Sequence, residues 1–505
     1  MTSVGPRTPR APLNFHPEVL VRESVLLLWL ALPPALVYRT GTPSKRPTGP
    51  EAYRVPKETR PVHDHPIADV WGDLGRQILE YLDSVNVQWT SIDVVRFAEP
   101  EKEPGPPVVW IGVRPGSLSR TDADAAAHGC EELLKKFELA GVEVAFRESV
   151  VTRARSAAAA VRDPELLDCV SSESLHATAD VRGPLCPALG LRIADRAAPF
   201  IEGAGALYIR QRSDTGARFF VLTARHVVLP PDMCPNEPYT REDAGSRCAM
   251  DDKYDITRAK REQKKAEGLV REEKAIETLD TFHTEVAKYW SAECLHVLGH
   301  IAYSPPISVG TGTQRFTEDW ALIEVDCEKI DYKTFKGNVI DLGTKVQAGH
   351  FTQKVYPNPT ALTSMKYPPD RLLPLQGIVS DDELRRPTTR DANGDPCLFV
   401  VKKGTGTGVT IGHASSTMSF VREYLPSGER ETSTELAVHP YGYTDGAFSA
   451  PGDSGSIIAD LEGRIVGLLT GGSGERGATN VTYATPFHWL WEECIKKRFP
   501  DACIY

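Results

Sequence analysis

Two textures of hydrophobic spacing divide the chain. Trp71, Leu74, Ile78 and Leu82 recur at three- and four-residue intervals. That is the stripe of an amphipathic helix over 67–82, weakened by Gly72 and Gly75. A short strand is expected at 92–97. Val108-Val109-Trp110-Ile111-Gly112-Val113 is a continuous apolar run stopped by Pro115-Gly116, the mark of a buried strand. Ala126, Cys130, Leu133, Leu134 and Phe137 then give an apolar face to a helix over 122–140, capped by Thr121 or Asp122 and ended by Gly141. Apolar alternation resumes as a strand at 142–146. A helix between two buried strands predicts a β-α-β crossover, so 67–185 is expected to form a small α/β domain. No glycine-rich loop follows its first strand, and no acid–base cluster stands out there. No chemistry is assigned to it.

From Gly190 the spacing shortens. Apolar runs at 206–209, 219–222, 320–325, 398–401, 409–411, 457–458, 465–469 and 481–484 are separated by glycine and proline turns. This is the pattern of a β-barrel or sandwich over 190–488, followed by a C-terminal helix and tail at 489–505. One stretch breaks the texture: 255–290 mixes Lys260, Arg261, Lys264 and Lys265 with Glu267, Glu272 and Glu273. It predicts a charged helical insertion, its apolar stripe made of Leu269, Ala275, Leu279, Phe282 and Val286. A solvated face laced by i,i+4 pairs is preferred to a docking surface.

The first 66 residues form an extension with two parts. Residues 25–32 are strongly apolar and continue through Pro33-Pro34 to Val37, too short a run to span a bilayer. It also starts too far in for a usual signal peptide, and Ala35-Leu36-Val37 is a poor cleavage site. A buried helix or strand is expected, with no stable membrane insertion. Residues 39–66, rich in Pro, Gly, Arg and Lys, read as a strap or linker.

Length and composition narrow the classes. A chain of 505 residues exceeds the size at which one core stops growing, so two or three domains are expected. A formal charge of -10 argues against a nucleic-acid binder, which needs a basic face. The ten cysteines are scattered without a C-x-x-C pair, which argues against structural zinc; no metal or organic cofactor is implied. Reduced thiols favour an intracellular, cytoplasmic protein, with a bridged secreted one as the alternative.

The candidate chemistry lies in three short segments. Gly452-Asp453-Ser454-Gly455-Ser456 frames a serine with glycines, which can lift its hydroxyl clear and leave neighbouring N–H groups facing an oxyanion. Thr223-Ala224-Arg225-His226 supplies a base after an apolar strand, and Asp319-Trp320-Ala321-Leu322 a carboxylate opening another. A serine hydroxyl needs such a base, and the base a buried carboxylate to fix its tautomer. The order His, Asp, Ser, with Ser456 in place of a second elbow glycine, speaks against an α/β-hydrolase. Glu318 is the nearest rival carboxylate; His300, His413 and His439 lack comparable contexts.

With these segments, the chain over roughly 190–500 resembles the chymotrypsin-like serine proteases of the trypsin superfamily, double β-barrel enzymes. Gly203-Ala204-Gly205 resembles a turn of their microbial members. The fuller layout, including 406–410 and 483–486, resembles fungal relatives with a fused N-terminal domain. The resemblance implies His226 as general base, Asp319 as its orienting partner, Ser454 as nucleophile, and the Gly452 and Ser454 amides as oxyanion hole. It places Phe448 near the base of the specificity pocket and Thr470-Gly471-Gly472 along one wall, where an extended substrate adds main-chain hydrogen bonds. Phe448 offers no charge for Arg or Lys, so small or medium apolar residues before the cleaved bond are expected. No Ile-Val-Gly-Gly-like start precedes the first barrel strand, so Asp453 needs a partner other than a newly cut N-terminus. The expectation is a serine endopeptidase acting on a protein or peptide substrate, its regulatory partner unknown. An inactive protease-like scaffold and an esterase using the same residues are the alternatives.

Overall fold

The computed structural model describes residues 36–41, 57–99, 103–153, 186–195, 198, 201–213, 216–241, 249–252, 281–282, 284, 297–326, 329–343, 348–355, 367–391, 396–425, 428–442, 444–473 and 480–505. An apolar helix–strand alternation builds the first layer: β1 (Leu36–Arg39), β2 (Glu58–Arg60), α1 (Ile67–Ser84), β3 (Trp89–Ala98), β4 (Pro107–Val113), α2 (Arg120–Lys136), β5 (Glu143–Glu148) and β6 (Val151–Arg153). β4 and β5 pair in parallel with α2 between them, which is the crossover the spacing implied. Trp71, Leu74, Ile78 and Leu82 do face inward, joining Trp89, Ile111 and Phe146 in a core of their own. α2 starts earlier than expected because Ser119, in extended conformation, accepts the Asp122 amide at 3.2 Å. It stops at Lys136, and Glu138 takes a positive φ soon after.

Next come β7 (Leu191–Asp195), β8 (Glu202–Gly205), β9 (Leu207–Ser213), β10 (Gly216–Thr223), the single turn α3 (Arg225–Val228), β11 (Tyr239–Thr240), β12 (Ala249–Asp252), β13 (Val297–Ser304), β14 (Ser308–Thr311), β15 (Phe316–Glu318) and β16 (Ala321–Val325). β9, β10, β16, β13, β12, β7 and β8 follow one another across a sheet. Because β8 runs through Ala206 straight into β9, the two ends of that path meet, and Ala206 N donates to Leu222 O at 2.7 Å. The sheet therefore curls on itself around Leu207, Leu222, Ile301 and Ile323, all fully buried.

A linking stretch holds β17 (Val339–Asp341), α4 (Ala348–Val355), β18 (Leu372–Pro374) and α5 (Asp381–Arg385). The second barrel follows: β19 (Leu398–Gly404), β20 (Gly408–Ala414), β21 (Ser419–Tyr424), β22 (Arg430–Pro440), β23 (Ile457–Asp460), β24 (Ile465–Ser473) and β25 (Val481–Pro486). The order β22-β20-β19-β23-β24-β25 closes when β25 pairs back onto β22 through Leu436↔Ala484. Residues 487–498 are helical, and β26 (Ala502–Ile504) returns to pair with β9.

The first layer does not stand apart. β3 pairs with β21, and β6 with β24, so its sheet and the second barrel are one hydrogen-bonded surface of 13 strands. A buried polar knot ties them. Asp93 accepts from Ser419 Oγ at 2.6 Å and Tyr483 OH at 3.1 Å, while Arg147 donates to Ser473 Oγ at 3.0 Å and lies over the Trp110 ring.

The expected apolar segment 25–32 lies outside the described residues, as does the insertion 255–290 apart from Thr281, Phe282 and Thr284. Among the described residues no helix is long and apolar enough to cross a membrane. Cys130, Cys186, Cys234, Cys397, Cys494 and Cys503 are free thiols.

Three histidines gather where β2 approaches β20 and β22. His413 faces His439 across the ladder, and His439 Nδ1 lies 3.1 Å from Thr59 Oγ1. Burial lowers His63 to about 4 and His439 to about 3, and holds His413 well below its ordinary value. A basic group whose pKa falls on folding favours the unfolded state once protons become available. Stability is therefore complete above the unfolded value of about 6.5 and declines as pH falls toward the folded values. Thermal melts should lose midpoint steeply between about pH 6.5 and 4. His413→Phe, which cannot protonate, should flatten that slope.

Candidate functional site

Pairing between β10 and β16 brings the first two candidate groups together. Thr223, the last residue of β10, sits opposite Ala321, the first of β16. α3 lifts His226 off one strand end, and Asp319 immediately precedes the other. His226 Nδ1 lies 2.6 Å from Asp319 Oδ2, and the His226 amide donates to Asp319 Oδ1 at 3.1 Å. A carboxylate on Nδ1 holds the proton there and leaves Nε2 as an acceptor. Glu318, the rival carboxylate, accepts instead from the Trp320 indole at 3.0 Å.

The third group comes from the turn between β22 and β23. Gly452 and Gly455 have φ of +96° and +80°, a backbone that side-chain-bearing residues rarely adopt. Gly455 is doubly constrained, since a Cβ there would collide with Thr223 Oγ1 and the Ala204 carbonyl. That close approach presses the serine loop against the end of β10, and Ala204 N donates to Ser454 O at 2.9 Å. The amides of Asp453, Gly455 and Ser456 are committed to backbone carbonyls. No described residue accepts from those of Gly452 and Ser454, the pair expected to bind an oxyanion.

The hydroxyl is not poised on the base. Ser454 Oγ donates to the Thr470 carbonyl at 3.4 Å, and His226 Nε2 has no hydrogen-bond partner among the described residues. His226, Asp319 and Ser454 are all buried, none more than 1% exposed.

Asp453 points away from the site into a buried cage. It accepts from Gly406 N at 2.7 Å, Ala450 N at 2.9 Å and Thr407 Oγ1 at 2.8 Å. Lys402 Nζ completes it at 3.0 Å, with both side chains fully buried, and also donates to Thr407 Oγ1 and to the Gly408 carbonyl. Burial pulls the ammonium below the ordinary lysine pKa, and Asp453 opposes that pull. Lys402 was not among the expected site residues. Lys402 and Lys403 together close the apolar run Leu398-Phe399-Val400-Val401, and which of the two is buried is set by a partner far along the chain.

The expected pocket residues lie on two segments. Thr470 touches the serine through its carbonyl, and Gly471 and Gly472 lie in the ladder with β6. Phe448 packs inside the second barrel, its ring against Gly412 and 5.9 Å from Lys402 Nζ. Among the described residues no cluster of three or more His, Cys, Asp or Glu is placed to hold a metal.

No protein-family model matches the chain, and no curated protein does. Among solved structures it is similar to a glutamic acid-specific serine protease, described as using a novel histidine triad in substrate binding. That match has 12% identity and a TM-score of 0.30, and covers 63% of this chain and all of the other. It is also similar to the chymotrypsin of Cellulomonas bogoriensis, with 14% identity and a TM-score of 0.20, covering 41% and 75% of the two chains. Both neighbours are serine proteases. At these scores the role of the site rests on its own geometry.

Removing the Lys402 ammonium leaves Asp453 charged and unpaired. Lys402→Met should cost about 3–5 kcal/mol in urea unfolding, and Lys402→Met with Asp453→Asn should recover part of it because no lone charge remains. Equal losses for the single and double variants would exclude the ion pair as the source.

Proposed function

We propose that the protein is a serine endopeptidase of chymotrypsin-like architecture, with His226, Asp319 and Ser454 as its catalytic residues. The observation that carries this reading is the two-point contact between His226 and Asp319, at 2.6 and 3.1 Å, beside a glycine-framed serine whose loop is fastened from behind. A buried carboxylate that holds both the ring and its backbone fixes an imidazole as an acceptor through Nε2. A structural histidine has no need of that arrangement.

In this reading Ser454 Oγ rotates from Thr470 to His226 Nε2 and attacks a peptide carbonyl while the imidazole takes its proton. The carbonyl oxygen becomes an oxyanion facing the Gly452 and Ser454 amides. The imidazolium, stabilised by Asp319, returns the proton to the leaving amine as the C–N bond breaks. Water then repeats the sequence on the ester and restores the serine. A preference for small or medium apolar residues before the cleaved bond is part of this proposal. The resting geometry favours a second reading, an inactive scaffold, because the serine and histidine are sealed and not hydrogen-bonded to each other.

A fluorophosphonate probe separates the two, since only a nucleophilic serine is labelled. Labelling is expected on Ser454 and should vanish in Ser454→Ala and His226→Ala with unchanged circular dichroism. Peptide turnover should drop by roughly four to six orders of magnitude in Ser454→Ala, and about ten-thousandfold in Asp319→Asn. Folded Ser454→Ala that keeps full turnover would exclude the assignment.

A further inference from the structure

Resting on that reading, one contact reaches beyond it. β24 runs along the nucleophile: the carbonyl of Thr470 takes the Ser454 hydroxyl, and the next three residues, Gly471, Gly472 and Ser473, form an edge segment. That segment is already paired. β6 lies antiparallel on it in the register Ser473↔Val151, Gly472↔Thr152 and Gly471↔Arg153. Each step forward along β6 is thus a step toward Thr470 and the serine. A peptide adding to β24 by main-chain hydrogen bonds would need the same edge.

The segment is held by more than its ladder. Its predecessor β5 carries Arg147, whose guanidinium donates to Ser473 Oγ at 3.0 Å and so clamps the far end of the same edge. A cavity bordered by Val151, Thr470 and Gly471 is walled by Glu423, Glu431 and Glu435. The sealed histidine and the serine turned to Thr470 describe a site at rest with this strand in place.

We propose that Val151–Arg153 is an intramolecular pseudo-substrate. It occupies, in the direction a substrate would run, the strand position on Gly471–Ser473, and peptides enter in trans only when it leaves. The partner it excludes is an extended peptide binding by β-addition.

Proline tests this, because it removes a ladder N–H and is tolerated poorly within a sheet. Alternate residues of a strand direct their N–H groups to opposite sides, so Thr152→Pro and the pair Val151→Pro with Arg153→Pro together cover both possibilities. Both are made in full-length protein, in wild-type and Ser454→Ala backgrounds, with thermal melting and intact mass recorded. In the Ser454→Ala background, a fluorescent peptide of the sequence 149–155 should bind the effective proline variant at least about tenfold more tightly than the chain with β6 intact, as expected if the strand fills the site nine-tenths of the time. In the active background, peptide turnover and fluorophosphonate labelling should rise with it, the chain remaining uncut. Folded proline variants that bind the peptide no better than the parent would overturn the proposal, even if hydrolysis is normal. Tighter peptide binding without labelling in any variant would uphold the self-bound strand and reject the peptidase instead. Should the prolines unfold the chain, the free peptide still serves. It should inhibit turnover by the wild type only at concentrations about tenfold above those that inhibit a Val151→Gly, Thr152→Gly, Arg153→Gly variant, and equal inhibition would overturn the proposal.

Discussion

An ammonium with no solvent around it holds the candidate site in shape. Lys402 and Asp453 are fully buried, and a charge in that environment is tolerable only when nearly all its valences are met. Gly406, Thr407 and Ala450 meet those of Asp453, while Thr407 and the Gly408 carbonyl serve Lys402. Asp453 is chained to Ser454, so fixing one carboxylate fixes the curvature that lets Gly452 and Gly455 adopt positive φ. The free amides, the depth of the hydroxyl and the contact with β10 all follow from that anchored turn.

The anchor also answers a question posed by the sequence. Asp453 is neutralised by an internal cation, Lys402, which β19 delivers from its own barrel wall. The loop is therefore shaped as soon as the second barrel closes.

What the sequence specifies locally depends on the range of the interaction concerned. The contact between His226 and Asp319 was legible because each adjoins the end of an apolar strand, and strand ends are where pairing converges. α1, β4, α2 and β5 were legible because their burial patterns are local and periodic. β6, β21 and β22 were not. Val151-Thr152-Arg153 has no hydrophobic pattern of its own, and it becomes a strand only because β24 offers an edge. β22 escapes a hydrophobic pattern because its first half carries Glu431, Ser433 and Glu435, the last two buried among polar partners, and pairs with β21. Lys402 was not legible either, since a partner 51 positions away leaves no trace in local spacing.

β22 is shared property. Its first half, through Glu435, pairs with β21, which continues into the layer of β3, β4 and β5; its second half pairs with β20 and β25 and closes the barrel. Composition changes near residue 190, but the hydrogen bonding does not respect that line. Excising everything before it would leave β21 and the end of β24 as raw sheet edges and would bare the aromatic face of Tyr483, the features that drive strand-to-strand aggregation. The chain's two halves are thus solubility partners as well as neighbours.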